Sequence, residues 1–287
     1  MASKKYFLLM GAILCLSLNM FSQVKIGTTY DSTQIPAKRM AQHTEFLNGT
    51  YNFPSKPRNQ WEIGVKLGTM YVSGDVPSQL AFPSFGLHVR KAFGYVFSMR
   101  LEYMYGTAKG LSWLPSENFG KNTAWQEAGY IAPKLDRSGS SAVYSGSQPG
   151  STINDIEPVY YNYKTKAHDL SLQGLVTLNN IRFHKSKTGF NFYGFAGVGA
   201  TIYDTKVNAL DGDGGKYDFS TISGGVYKNR KDTRKDLKDM MDKSYETPAE
   251  NQGERRPKLF GNTLKPSGTI GVGFAFKLSN RINLAIE

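Results

Sequence analysis

Between Trp61 and Tyr71 the chain reads W-E-I-G-V-K-L-G-T-M-Y, with Trp61, Ile63, Val65 and Leu67 apolar and Glu62 and Lys66 between them. The pattern returns at Tyr95–Gly106, where Tyr95, Phe97, Met99, Leu101, Tyr103 and Tyr105 alternate with Ser98, Arg100 and Glu102. Successive side chains of a strand point to opposite faces, so a period of two specifies strands with one apolar and one polar face. The same alternation marks Phe85–Arg90, Ala167–Leu178, Ser267–Leu278 and Arg281–Glu287; Asn191–Tyr203 also reads as a strand, with its faces less distinct because Phe192, Ala196, Val198 and Ile202 oppose Tyr193, Phe195, Gly197 and Gly199. Seven strands are therefore expected.

The connections between them alternate in length. Short links at 91–94, 182–187 and 279–280 contrast with a medium loop at 72–84 and long ones at about 107–166 and 204–266. Loops of that length are foreign to a compact soluble domain such as a β-sandwich. They suit an outer-membrane barrel, which has short periplasmic turns and longer extracellular loops. Strands of about 10–12 residues also have the length needed to cross a bilayer at a tilt. The expected fold is all-β: an antiparallel up-and-down transmembrane β-barrel with long extracellular loops, its apolar face toward lipid.

The N-terminus points to export. Lys4 and Lys5 precede an apolar stretch from Tyr6 to about Met20, the layout of a secretory signal peptide over residues 1–22. Cys15, the single cysteine, lies inside it, so a mature chain carries no thiol. Residues 23–58, with Pro36, Pro54 and Pro57, read as an irregular leader ahead of a barrel domain over 59–287.

Beyond the pattern, the segments H-V-R-K-A-F-G-Y-V-F-S-M-R-L-E-Y-M-Y-G (88–106), F-Y-G-F-A-G-V-G-A (192–200) and G-V-G-F-A-F-K-L-S-N-R-I-N-L-A-I-E (271–287) resemble the OmpA-type outer-membrane barrel family. The resemblance covers most of 59–287 apart from the long loops. It implies an eight-stranded barrel in the cell outer membrane, in contact with lipid and lipopolysaccharide. It also implies a C-terminal periplasmic domain, not in this chain, that grips peptidoglycan. With about seven strands present, the expectation is a barrel truncated before its last strand and that domain, because an open sheet leaves bare edges in hydrocarbon.

The polar faces collect Glu62, Lys66, Arg90, Arg100, Glu102, Asp169, Lys277 and Glu287, four cations and four anions. An eight-stranded barrel is filled by its own side chains, and buried charges need partners. The expectation is an interior ion-pair network, with a narrow gated pore as a lesser alternative. No catalytic constellation emerges: of His43, His88, His168 and His184 only His88 has inward parity, and no serine or paired carboxylate sits beside it. The sequence is read as non-enzymatic, without cofactor or metal. Asp211-Gly212-Asp213-Gly214-Gly215 resembles a calcium loop but lacks the downstream glutamate and reads as a turn.

The net charge of +12 concentrates at Lys228, Arg230, Lys231, Arg234, Lys235 and Lys238. This stretch is expected to form one short loop helix capped at Asp232, with Leu237, Met240, Met241 and Tyr245 along one stripe. On this topology it faces lipid headgroups outside the cell, which gives nucleic-acid binding no support. Two functions follow: a structural barrel that anchors the envelope, or an accessory subunit of a larger outer-membrane protein assembly. The second would dock through the long loops, the leader and that apolar stripe.

Overall fold

A computed structural model describes residues 35–51, 55, 60–94, 96–138, 141–179, 190–249, 257–278 and 282–287. The signal segment and the links at 182–187 and 279–280 lie outside these residues.

Seven principal strands form one sheet: β1 (Gln60–Gly68), β2 (Ser84–Ala92), β3 (Phe97–Leu111), β4 (Asn162–Thr177), β5 (Phe190–Val207), β6 (Asn262–Lys277) and β7 (Asn283–Ile286). Each pairs antiparallel with its neighbour in sequence, and the sheet curls into a half-barrel. β1 and β7 are its two edges; among the described residues no backbone pairing joins them. Strictly up-and-down pairing puts the strand ends that flank the three longer loops at one end of the sheet.

On the long-loop side the strands run beyond the apolar alternation. β4 begins at Asn162 rather than Ala167, and β6 at Asn262 rather than Ser267. In these extensions both faces carry polar residues, so backbone pairing continues where the hydrophobic pattern has faded.

The register matches large rings on the concave face with glycines directly opposite. His88 faces Gly64, Tyr163 faces Gly110, Phe195 faces Gly271 and Tyr193 faces Gly273. A Cβ at Gly271 would sit 2.4 Å from the Phe195 ring, and one at Gly273 2.6 Å from the Tyr193 ring. Each glycine thus provides the space its cross-strand ring occupies, an arrangement that pins register.

The long loops hold the short helix expected near 230–240 and more structure besides. Residues 112–161 hold a short helix α2 (Thr123–Glu127) and a hairpin, Pro133–Ser138 with Ser141–Gly146; residues 208–261 hold α3 (Arg230–Met240). The two loops share one hydrophobic core around Trp125, Tyr130, Tyr160, Phe219 and Leu237, which continues onto Leu111 and Val207 at the strand ends. They form a folded cap over that end of the sheet. The leader is also not wholly irregular, since Met40–Leu47 forms helix α1. The cap of α3 is corrected too: it starts at Arg230 with Asn229 as N-cap, and Asp232 falls in its first turn, where a carboxylate suits the helix dipole.

Candidate functional site

The concave face holds a dense polar cluster. Arg100, 2 % exposed, lies among groups from its own strand, three other strands and the chain end. Its Nη1 donates to Glu287 at 2.5 Å, its Nε and Nη2 to Gln173 Oε1 at 2.9 and 2.6 Å, and Glu102 lies 3.1 Å from its Nε. Lys66 bridges Glu102 and Glu287. Gln173 donates to Glu102 and to Ser171, and the Tyr193 hydroxyl donates to Glu287 at 2.6 Å. The Phe195 ring stacks under Arg100 at 4.8 Å. A second cluster lies beside it: Glu62 approaches His88 at 3.7 Å and Arg90 at 3.9 Å, and Arg90 donates to Ser98 at 2.8 Å. Asn283 of β7 donates to Glu62 at 3.5 Å. Side chains from β7 and the chain end therefore span the gap to β1.

Six of the eight charged residues expected inside, Glu62, Lys66, Arg90, Arg100, Glu102 and Glu287, are brought together as three cations and three anions. Asp169 stands apart and accepts from Thr201 at 2.6 Å and Ser267 at 2.8 Å. Lys277 lies exposed at the strand end, outside the network. Sequence reading missed Gln173, Tyr193 and Phe195 as members. The opposed glycines of β6 were the available signal for the two rings.

The convex face is the reverse. Ile63, Val89, Leu101, Leu172 and Val198 form one cross-strand row, and Val65, Leu87, Tyr103 and Leu170 the next. These side chains stand open: Ile63 is 81 % exposed and, lower on the sheet, Ile270 is 87 %. The following row carries Phe85, Tyr105 and His168, with the Tyr105 and His168 rings 4.9 Å apart. Beyond it the face turns polar, with Lys166 and Asp204, then Lys109, Lys164 and Lys206.

In the cap, the proposed docking stripe faces inward. Leu237 and Met241 are buried and Met240 packs against the same core, while Tyr245 lies beside Lys109 and Lys164. Trp125 is wholly buried. Polar bonds tie the two loops together, with Tyr130 OH donating to Ala209 O at 3.1 Å and Tyr160 OH to Ile222 O at 3.2 Å; within the second loop the Tyr217 hydroxyl lies 3.0 Å from Asn208 Oδ1 and 2.9 Å from Asp242 Oδ1. Burial pushes the Tyr217 hydroxyl up to about 12, and hydrogen bonds from Ser244 hold Asp242 below the usual carboxylate range. The Asp211–Gly215 segment is a turn in which Asp211 Oδ1 accepts from Asp213 N at 3.1 Å and Gly215 N at 2.6 Å. No group of three or more potential metal ligands occurs among the described residues.

No family model, curated protein or solved structure matches this chain.

Proposed function

We propose that this is a non-enzymatic outer-membrane β-barrel protein with a structural, envelope-anchoring role. The observation that carries it is the inversion of the sheet: charged groups lie buried on the concave face, and rows of aliphatic and aromatic side chains stand open on the convex face. In water such a surface is far larger than a monomer leaves uncovered; against lipid tails it is the favourable arrangement. Along β4, Val176 to His168 spans roughly 27 Å at about 3.4 Å per residue. A tilt of about 40° reduces this to about 20 Å of height, near the apolar band of a barrel. In this setting the free edges of β1 and β7 must acquire backbone partners, since hydrocarbon offers none. The packed interior around Arg100 supports a filled barrel over a pore. Peptidoglycan is the partner implied by the OmpA-type resemblance, through a C-terminal domain of that type.

The reading places the cap outside the cell. In cells, a membrane-impermeant thiol reagent should label Lys235→Cys on α3 and spare Phe93→Cys in a short link. Labelling of the second alone would invert the barrel. An accessory-subunit role is favoured by one observation: Leu114, Val226 and Tyr227 are exposed on the cap beside Trp113. Stoichiometric recovery of another membrane protein in mild detergent, lost in Tyr227→Ser, would favour that role.

A further inference from the structure

The lysine row on the convex face has no counter-charge. Lys109, Lys164 and Lys206 sit directly opposite one another on β3, β4 and β5. Like charges in that position repel. Among the described residues none of the three has a carboxylate within salt-bridge distance. Lys166 and Asp204 lie one row below.

The chain builds a recess around these groups. Ser244 and Tyr245, arriving from the cap after α3, lie against the strands and with Lys164, Lys166, Asp204 and Lys206 line an open recess of about 110 Å³. Tyr245 holds a left-handed backbone conformation, φ 51°, to reach this place. Its ring lies 5.5 Å from Lys164 Nζ and 5.6 Å from Lys109 Nζ. That contact fixes the two ammonium groups without neutralising them. The volume is close to four waters at about 30 Å³ each, the size of a tetrahedral oxyanion. Three lysines against one carboxylate line the recess, with Lys109 beside the Tyr245 ring, and that balance favours a dianion.

Position decides where the anion comes from. The recess lies on the convex face, two rows beyond Phe85, Tyr105 and His168, where the apolar rows end. Aromatic residues mark the headgroup level of a membrane barrel, so lysines just past them meet the charged part of the outer leaflet. We propose that this recess binds the phosphate of a lipid headgroup, a phosphomonoester in particular. The proposal rests on the outer-membrane reading and adds a defined lipid site to it.

The test is native mass spectrometry of the detergent-purified chain with phosphatidic acid or phosphatidylcholine, beside calorimetry with inorganic phosphate. Wild type should retain phosphatidic acid over phosphatidylcholine. Lys164→Ala and Lys206→Ala should each lower retention about five-fold, and Lys→Arg at both positions should keep it. Equal retention in wild type and the double alanine variant would overturn the site. So would lysine-dependent binding of inorganic phosphate with no preference for phosphatidic acid, which would make the ligand a free anion. Protease digestion in phosphatidylcholine nanodiscs separates the two readings. Protected strands without lipid selectivity remove only the site; digested strands remove the membrane reading and the lipid site with it.

Discussion

Leu172→Arg separates a lipid-facing sheet from a water-facing one by magnitude. Leu172 lies in the middle of the row Ile63, Val89, Leu101, Leu172, Val198, and is 47 % exposed. If that row faces the bilayer centre, arginine there costs about 2–4 kcal/mol. The comparison is Thr107→Arg, on the same face but paired with Lys166, one row from the lysines. Near the interface the cost falls to about 0–1 kcal/mol. In water the two would differ little, because a half-exposed leucine forfeits only about 1 kcal/mol of burial and the arginine stem recovers part of it. The assay is equilibrium urea unfolding in phosphatidylcholine vesicles, followed by tryptophan fluorescence. Leu101→Arg and Phe274→Arg should behave like Leu172→Arg. Costs within about 1 kcal/mol of each other at positions 172 and 107 would refute the reasoning.

Arg100→Met strands the buried carboxylate of Glu102 and the partly buried one of Glu287 and should cost about 3 kcal/mol, the lower end of the usual range because Lys66 still reaches both; adding Glu102→Leu should recover part of the loss in the same unfolding assay. Gly271→Ala puts a Cβ 2.4 Å from the Phe195 ring and should cost about 1–3 kcal/mol; a double-mutant cycle with Phe195→Leu should show the penalty largely relieved. The Tyr217 hydroxyl has its proton held more tightly in the folded cap, up to about 12 against an ordinary 10. Its contribution to stability is therefore full below pH 10 and is lost as pH rises through 12. Near-ultraviolet circular dichroism of the cap aromatics should show a less steep alkaline loss in Tyr217→Phe.

The faces of the sheet were legible because one physical variable, side-chain polarity with period two, decides them. Parity alone put eight charges on the polar faces; six of them meet on the concave face, while Asp169 and Lys277 lie elsewhere. β5 resisted, since Phe192 and Tyr193 are neighbours on opposite faces and both faces carry aromatic, aliphatic and small residues, so polarity carries no contrast there. The strand extensions at Asn162 and Asn262 were invisible for a related reason: outside the apolar band a strand has no face to hide. Apart from α3, the folding of the two loops into one cap was not legible. Its core gathers Trp125, Tyr130, Tyr160, Phe219 and Leu237 from separate, aperiodic stretches of two loops, and no local pattern announces a long-range contact. The stripe on α3 was read correctly as apolar, but the sequence could not reveal that the cap's own loops cover it.

The central claim is that the convex face of this sheet contacts lipid. It is tested most directly by a nitroxide scan along β4, one label at a time from Leu170 to Val176 with Cys15→Ser, in phosphatidylcholine vesicles. Labels at Leu170, Leu172 and Val176 should collide freely with oxygen, which partitions into lipid, and hardly at all with a water-soluble nickel complex. Labels at Ser171, Gln173 and Leu175, buried on the concave face, should be shielded from both. If the labels at Leu170, Leu172 and Val176 met the nickel complex as freely as one at Lys235 on the cap, the face would be in water and the membrane account would be wrong.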